Sequence, residues 1–526
     1  MMDMKRAGWM GLPLILGIGA CNLISGAEGY VIGPAEDDGD PVGAGGGAVG
    51  PGSGAGATSG GAGATGPGSG GAGVGAGEPT GVGGMGTPPP TGQAADGVTI
   101  TDLQIHQAIA APLMGGSSAI PIIAGKDAMV RVFYQTDGGY DGGMVTARFT
   151  AGDDFVDTTG VLSGSSSQSS LSSTLNIDVP GSMITVGGTY RVDLLQANGG
   201  GTNAGAGYPP GTGQEPHGAQ STGSKLRLML VPVQYGGQLP DTSPSQVARY
   251  KEYFEWQYPV PEVEVTVRSQ AYSFNGNLSS YNGWSQLLDD VSNLRQSDGA
   301  PADQYYYGIH MAQGSGLLGL GWVAGANDVW SRAAIGVGWS GDTSPETAVH
   351  EIGHNHGRSH SPCGVSGDAN YPHNGAVIGV WGYNPSTQQL LPPNDWVDFM
   401  SYCDPQWVSD YTFKALFNRL KSVNGAQVVV PAHLKNRVYD RVRILDGEAT
   451  WLDPWQMELP PIGELVTVMV TTSSGAQSLT GHYFPYNHLE GGVLFMLAPE
   501  VQPMSPRTFH FVAEGMSFQL STAVGP

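Results

Sequence analysis

Residues 343–360 constrain the fold more than any other part of the chain, because their spacing predicts both a helix and the turn that ends it. Pro345 suits the first turn of a helix, where its missing N–H is not needed, and Ser344 just before it is predicted to cap that helix. Gly357 is predicted to adopt a left-handed conformation, which ends the helix and turns the chain back. We therefore expect a helix followed by a sharp turn.

Three histidines in this segment are spaced to bind one metal ion. His350 and His354 lie four residues apart, which puts both imidazoles on one helix face, and the turn returns His360 as a third nitrogen donor. Three neutral imidazoles with one open position are typical of catalytic zinc. We predict one Zn²⁺ ion, with Glu351 as the general base that activates water for attack on a peptide carbonyl. The alternative is that these histidines only cap or pack a helix.

The fixed residues of this segment match His-Glu-x-x-His-x-x-Gly-x-x-His, and a methionine-containing turn follows at residues 398–403. In these features the chain resembles the metzincin zinc metallopeptidases. The resemblance implies an α/β metzincin catalytic domain in which Gly357 makes the turn and Met400 packs under the zinc as a hydrophobic floor. It also implies that Tyr402, two residues after the methionine, ligates the metal or stabilises the tetrahedral intermediate.

Residues 226–425 are similar, more narrowly, to the dictomallein-type bacterial metzincins, which include enzymes that cleave glycoproteins. The similarity lies in four short stretches, residues 353–355, 378–383, 399–403 and 407–411. Ser361 is also common after the third histidine in matrix metalloproteinases, but their methionine turn lacks a tyrosine at the position of Tyr402. The resemblance implies an endopeptidase that hydrolyses internal peptide bonds of extracellular proteins or glycoproteins.

The first 21 residues are typical of a bacterial lipoprotein signal peptide. A positively charged start precedes an apolar run at residues 9–18, which is too short to span a bilayer but suits a signal peptide. Residues 18–21 resemble a lipobox, in which the signal is cut before Cys21 and its thiol is acylated. An ordinary signal whose cleavage site happens to precede a cysteine is the alternative. We expect a lipoprotein of the bacterial cell envelope, at the outer membrane or cell surface, or released from it.

The other two cysteines, Cys363 and Cys403, belong to an exported chain in which thiols can oxidise. We predict that they form a disulfide, which would tie the loop after His360 to the loop that carries Met400. Two free thiols and a soft metal site are the alternatives, although neither cysteine has a C-x-x-C partner.

Composition and patterning predict a multidomain chain. Residues 22–96 are rich in glycine and lack apolar periodicity, which predicts a flexible tether after the signal. Alternating β-branched and aromatic residues predict an immunoglobulin-like β-sandwich over 97–198, followed by a Gly- and Pro-rich linker over 199–224. The catalytic domain is assigned to 225–425. Strand-like runs predict a small C-terminal β domain over 426–526.

Three further histidines have simpler interpretations. His356 lies roughly 200° around the helix from His354, so we expect it at the surface or supporting the site rather than binding the metal. His310 and His373 are isolated in the sequence. Both are predicted to be packed or loop histidines.

Two tryptophans and one carboxylate near the motif are ambiguous. Trp381 and Trp407 fit either the wall of a substrate cleft or the core. Asp398 is placed where it could orient a ligand histidine through the free ring nitrogen.

The charge balance narrows the partners. The chain has 45 acidic and 22 basic side chains and a net charge of -23, so a nucleic-acid backbone would be repelled. The expected partners are a protein or glycoprotein substrate, and a membrane only through the lipid anchor. A surface binding or adhesion lipoprotein with a vestigial zinc site is the competing hypothesis, against which the presence of Glu351 argues. A periplasmic processing enzyme with one partner protein would differ only in substrate range and location.

Overall fold

The computed structural model describes residues 31–34, 92–115, 119–223, 225–312, 314–323, 325–429, 431–499 and 506–522. Cys21, the signal segment and most of the predicted tether lie outside these residues. Within them the protein is mostly β, with four α-helices and several separate sheets. None of the helices in this described part is both long enough and apolar enough to cross a bilayer.

Up to Pro216, the regular structure of the described residues consists of strands and short 3₁₀ turns. Its strands are β1 (Val31–Pro34), β2 (Gln93–Ala94), β3 (Val98–His106), β4 (Ala110–Pro112), β5 (Ala128–Thr136), β6 (Met144–Ala151), β7 (Asp154–Val161), β8 (Leu175–Val179), β9 (Thr189–Gln196), β10 (Gly207–Tyr208) and β11 (Glu215–Pro216). One sheet has the order β4-β3-β5-β8 and the other β10-β9-β6-β7. Along β9 every second side chain is buried, as expected of a strand with one face on a core.

The segment predicted to be a linker is joined to this pair of sheets. Strands β10 and β11 both pair antiparallel with β9, and Ala206 and Ala219 are buried in the same core. Strand β2, from the end of the predicted tether, also pairs with β9. The linker prediction misses this because short Gly- and Pro-rich stretches lack an apolar pattern yet still offer backbone hydrogen bonds to a sheet edge.

The middle of the chain alternates strands with helices. Its elements are β12 (Leu226–Gln234), α1 (Pro244–Gln257), β13 (Val263–Val267), β14 (Tyr272–Ser273), α2 (Tyr281–Ser297), β15 (Gln304–His310), β16 (Gly319–Gly321), β17 (Ala333–Val337), α3 (Thr343–Asn355), β18 (Gly382–Asn384), β19 (Gln389–Leu391), β20 (Val397–Asp398), β21 (Gln406–Trp407) and α4 (Asp410–Gly425). The main sheet has the order β13-β12-β15-β17-β16, in which only the edge strand β16 is antiparallel to its neighbour. Strand β17 is buried along its whole length, as parallel strands covered by helices usually are.

Helices α1 and α3 differ in how their first turns are capped. Ser243 caps α1, with its hydroxyl accepting a hydrogen bond from the Gln246 N–H at 3.4 Å. The cap predicted for Ser344 is wrong, because α3 begins at Thr343, two residues before the start that such a cap would give. Ser344 therefore lies inside the first turn, and its hydroxyl donates to the Trp339 carbonyl at 2.8 Å.

After α4, the described residues form strands and one short 3₁₀ turn, Ala432–Leu434. The strands are β22 (Ala426–Val429), β23 (Arg437–Leu445), β24 (Glu448–Met457), β25 (Glu464–Thr472), β26 (Gly475–Pro485), β27 (Gly491–Leu497), β28 (Thr508–Ala513) and β29 (Met516–Ser521). Strand β22 pairs with β1, and the other seven form one antiparallel sheet in the order β24-β23-β27-β26-β25-β28-β29. We call this seven-stranded sheet the C-terminal domain.

The C-terminal domain shares a hydrophobic core with the middle of the chain. One cluster of buried side chains joins Trp284 and Leu288 of α2 to Val493 and Phe495 of β27. Trp330, from the segment before β17, packs edge-to-face against Phe484 of β26 and contacts the tilted ring of Phe495 of β27. This packing holds the C-terminal domain against the main sheet and brings the loop between β26 and β27 to the edge strand β16.

Candidate metal centre

The end of α3 is a Schellman turn, which places a carbonyl beside a histidine. Gly357 has φ +77°, the Arg358 N–H donates to the Gly353 carbonyl at 3.1 Å, and the Gly357 N–H donates to the His354 carbonyl at 2.7 Å. The Arg358 carbonyl then lies 2.6 Å from Nδ1 of His354. The predicted left-handed Gly357 is therefore present, and the turn both ends the helix and orients an imidazole.

The structure brings His350, His354 and His360 together. Nε2 of His350 and Nε2 of His354 are 3.1 Å apart, close to the separation of two nitrogens that bind one zinc ion. Nδ1 of His350 lies 2.7 Å from the Phe399 carbonyl oxygen, and Nδ1 of His354 lies 2.6 Å from the Arg358 carbonyl oxygen. Because a carbonyl can only accept, each Nδ1 carries the proton and each Nε2 presents a lone pair to the cluster.

The three imidazoles have the protonation state that a metal requires. Burial lowers the pKa of His360 to about 3, and it lowers the pKa of His350 and His354 as well. Nε2 of His360 is buried and has no hydrogen-bond partner within the described part of the chain. A buried nitrogen without a partner is unfavourable unless it binds something, so these residues fit a zinc ion.

Glu351 is buried next to this cluster, with 1% of its surface exposed. A side chain at Gly319 of β16 would place its Cβ only 2.3 Å from Oε1 of Glu351. Glycine at this position therefore makes room for the carboxylate. Oε2 accepts a hydrogen bond from Nδ2 of Asn487 at 3.1 Å, and Oε1 lies 3.0 Å from Nε2 of His488.

His488, which sequence reasoning missed, is the fourth histidine of the cluster. One nitrogen from each of His350, His354, His360 and His488 lies within 4.8 Å of all the others. The imidazole of His488 stacks on the ring of Tyr402, with centroids 5.5 Å apart, and Nδ1 is hydrogen-bonded to the Tyr402 hydroxyl. No fixed spacing links His488 to the motif on α3, so only the polar break between two strand-like runs could have drawn attention to it.

The methionine turn lies directly against α3. Met400 is fully buried, and its Sδ is 2.5 Å from the position that a Cβ on Gly353 would occupy. A glycine is therefore required one residue before His354, within a part of the motif that the family pattern leaves free. Met400 thus packs on α3 next to a motif histidine, and a place under a metal ion stays a prediction.

Asp398 does not orient a ligand histidine directly, so that prediction is wrong. Its Oδ1 accepts hydrogen bonds from the Met400 N–H at 2.9 Å and the Ser361 hydroxyl at 3.0 Å, and Oδ2 accepts from the Ser409 N–H at 3.0 Å. The ring nitrogen of His350 is instead satisfied by a backbone carbonyl. The carboxylate stabilises the turn around the site, because it accepts hydrogen bonds from two backbone N–H groups and one hydroxyl.

A disulfide joins the two loops beside the cluster. Cys363 and Cys403 are bonded, with 5.7 Å between their Cα atoms. The Tyr402 N–H also donates to the Cys363 carbonyl at 2.9 Å. The bridge thus ties the loop after His360 to the methionine turn, as the pairing predicted from the sequence would do.

His356 is not part of the cluster, but neither is it at the surface. It is 2% exposed and stacks on Tyr305 of β15, with ring centroids 4.6 Å apart, while its edge faces Tyr258. Its Nδ1 lies 2.8 Å from the Ile352 carbonyl. The surface prediction fails because the side of α3 opposite the metal ligands is covered by the main sheet and by the end of α1.

The two isolated histidines have the ordinary positions predicted for them. His310 is buried and packs edge-to-face against Trp284, with centroids 4.6 Å apart. His373 lies in a loop, with Nε2 2.7 Å from Oδ1 of Asp410. Neither belongs to the four-histidine cluster.

The two tryptophans join the middle of the chain to the N-terminal sheets. Trp407 is 3% exposed, and its indole N–H donates to the Ala108 carbonyl at 2.9 Å. The Trp381 carbonyl accepts from the Ala110 N–H at 2.8 Å. Of the two interpretations, the core is correct for Trp407.

Comparison with known proteins finds a match to one family model over part of the chain. The model of the family Peptidase M66 matches residues 292–423, a segment that contains the three motif histidines, Glu351 and Tyr402. No curated protein matches the chain. Among solved structures, 39 chains match, and one, "Structure of a chaperone-substrate complex", is 13% identical with a TM-score of 0.24, covering 48% of this chain and 39% of its own. The family match supports a protease of a metallopeptidase family.

Proposed function

We propose that the protein is a zinc-dependent endopeptidase that hydrolyses internal peptide bonds of extracellular proteins or glycoproteins. One observation carries the proposal: a buried carboxylate, Glu351, lies beside three buried histidines whose ring nitrogens lie within 4.8 Å of one another. This cluster lies inside the segment that matches a peptidase family. A cap or packing role for the histidines would not require three inward-facing nitrogens.

His350, His354 and His360 are the residues that would hold the zinc. When bound, zinc supplies Lewis acidity, which lowers the pKa of water and polarises a peptide carbonyl. Glu351 accepts the proton of the attacking water at its carboxylate and passes it to the nitrogen of the leaving amine. The carbonyls that receive the Nδ1 protons keep two imidazoles in one tautomer and one orientation, which limits the reorganisation needed during the reaction.

Tyr402 is placed to assist. Its ring centroid is 5.0 Å from that of His360 and 6.1 Å from that of His350, and 47% of its surface is exposed. We propose that its hydroxyl donates a hydrogen bond to the substrate oxygen as negative charge develops there. The same hydroxyl contacts His488 in the present structure, so substrate must replace that contact.

The decisive experiment measures cleavage of casein and of a mucin-type glycoprotein by the purified full chain. Glu351→Gln should reduce the rate by at least about 100-fold, the usual contribution of a general base, while zinc remains bound. Glu346→Gln, on the exposed first turn of the same helix, is the matched control and should cut normally. Cleavage should also stop with a zinc chelator and return with added zinc. A chain that binds zinc but cuts no protein in a wide screen would favour the surface binding hypothesis.

We also propose that the chain is held at the bacterial cell envelope by acylation of Cys21. The support is the lipobox-like sequence alone, since Cys21 is outside the described residues. Labelled fatty acid should be incorporated into the wild-type chain and not into Cys21→Ser. Labelling that persists in Cys21→Ser, or that is missing from the wild-type chain, would contradict the anchor.

A further inference from the structure

Residues 486–490, which join β26 to β27, form a loop that docks on the candidate centre; we call it the C-terminal loop. Tyr486 forms an antiparallel bridge with Trp322, directly after β16, and the two rings stack with centroids 5.1 Å apart. The Gly321 N–H of β16 donates to Oδ1 of Asn487 at 3.2 Å. The loop therefore occupies the outer edge of β16, the antiparallel edge strand of the main sheet.

This edge is where an extended peptide would be expected to bind. A free strand edge accepts a peptide through backbone hydrogen bonds, and here the edge runs past Glu351. The C-terminal loop occupies both the edge of β16 and the carboxylate, because Asn487 contacts β16 through Oδ1 and Glu351 through Nδ2. A substrate peptide cannot bind in the same place until the loop leaves.

His488 extends from this loop to the three motif histidines. Its ring centroid lies 4.9 Å from that of His360, 5.3 Å from that of His350 and 5.5 Å from that of His354, and its side chain is 9% exposed. The four candidate nitrogens lie within 4.8 Å of one another. Nitrogens around tetrahedral zinc are about 3.4 Å apart, so the widest nitrogen pair would have to close by about 1.4 Å. The His488 nitrogen that binds would also give up its present partner, Glu351 or Tyr402.

We propose that His488 is a fourth protein ligand to the metal and that the C-terminal loop thereby holds the peptidase latent; the latency rests on the proposed function, whereas the ligand role does not. Four protein ligands close the coordination shell of zinc, and catalytic sites keep one position open. Removal of the loop from β16 frees that position, the strand edge and Glu351 together. Access to the site is thus controlled by the C-terminal domain.

Two variants separate metal binding from hydrogen bonding. His488→Ala removes both the imidazole and its contacts with Glu351 and Tyr402. His488→Gln keeps a hydrogen-bond donor near Glu351 but is a poor zinc ligand. His510→Ala, on an exposed position of β28 in the same domain, is the matched control.

The measurements use the full chain, freed of metal. Zinc affinity is determined by competition with a chromophoric chelator, and the coordination shell is followed by the visible spectrum of the Co²⁺-substituted protein. Both His488 variants should weaken zinc binding at least about tenfold and change the cobalt spectrum, whereas His510→Ala should match the wild type. Casein cleavage should rise about tenfold or more in both, because the open form of such a two-state loop is populated only about 0.1–10% of the time.

Unchanged zinc affinity and an unchanged cobalt spectrum in both variants would overturn the proposal, whatever happens to cleavage. Lower cleavage in His488→Ala that His488→Gln restores would also overturn it, because His488 would then act through its hydrogen bonds. A changed affinity and spectrum without proteolysis by any of the chains would support the ligand role and count against the proposed peptidase instead.

Discussion

Helix α3 and the C-terminal loop reach the same centre by different routes. The helix supplies His350, Glu351 and His354 from adjacent turns, and the turn after it supplies His360, so their proximity follows from helix geometry. The loop supplies His488 only because the C-terminal domain packs on the main sheet. The residues proposed to perform the chemistry are thus encoded by local spacing, whereas the residue proposed to control access to them depends on domain packing.

The two regions also differ in how firmly they are held. Helix α3 is enclosed by the main sheet, by the methionine turn and by a disulfide beside it. The C-terminal loop is anchored by the buried side chains of Tyr486 and Leu489, while Asn487 and His488 contact the site only through polar groups and ring packing. Polar contacts exchange with water more easily than buried apolar packing, so the loop is the part suited to move.

The largest expected effect separates two histidines of the same helix. His350→Ala should remove zinc and reduce casein cleavage by about 1000-fold or more, since the metal contributes several kcal/mol to the reaction. His356→Ala should keep one zinc per chain but lower the free energy of unfolding by about 2–3 kcal/mol, because it removes a ring stacked on Tyr305. Zinc content and denaturant unfolding of both variants test this. Loss of zinc from His356→Ala alone would break the assignment of the two helix faces.

The disulfide should have the next largest effect. Replacing both Cys363 and Cys403 by serine opens a loop with a sequence separation of 40 residues, which should lower the free energy of unfolding by about 4 kcal/mol. Zinc binding should weaken too, because the bridge positions the segments on either side of the site. Unfolding of wild type and variant is compared with and without zinc. Equal stability in the two chains would show that α3 and its surroundings are held without the bridge.

A smaller effect concerns Asp328, where the C-terminal domain meets the middle of the chain. Its Oδ1 accepts from the Ile462 N–H at 2.8 Å and Oδ2 from the Gly325 N–H at 3.1 Å, and burial raises its pKa to about 6. The folded state therefore holds this proton up to a higher pH than the unfolded chain does. The associated stability is complete below about pH 4 and is lost as the pH rises through about 6, by at most about 3 kcal/mol.

Asp328→Asn should remove that decline. Any hydrogen bond that Asp328→Asn loses is lost at every pH. Only a difference between variant and wild type in how the free energy of unfolding changes with pH therefore reports on the buried proton. Denaturant unfolding from pH 4 to 7 measures it, with Asp153→Asn in an exposed turn as the control. If wild type and Asp328→Asn have parallel pH profiles, the buried carboxylate does not influence docking of the C-terminal domain in this way.

The parts of the structure that the sequence predicts are those governed by short-range geometry. The spacing of His350 and His354 and the left-handed Gly357 each depend on a single turn of chain, and each has its expected geometry. The sequence predicts the disulfide partners because Cys363 and Cys403 are the two cysteines that remain once Cys21 is assigned to the lipid anchor. The β structure of residues 97–198 is predicted by the alternation of side chains along strands such as β9, where every second side chain is buried.

The wrong or missing predictions all depend on what packs against a residue. Ser344 donates to a carbonyl of the preceding loop instead of capping, and Asp398 binds donors of its own turn. His356 is buried because the sheet covers a helix face that was expected to be open. His488 was missed for the same reason, since nothing near it in the sequence indicates which strand edge its loop will meet.

The most direct test of the proposed peptidase function compares two chains that differ only in whether residue 351 carries a carboxylate or an amide. Bound zinc and casein cleavage are measured for His488→Ala with Glu351 intact and for His488→Ala with Glu351→Gln. We predict one zinc per chain in both and rapid cleavage only when Glu351 is present. Equal cleavage by the two chains, or no cleavage by either despite bound zinc, would contradict the claim that Glu351 and the three motif histidines form the active site of a peptidase.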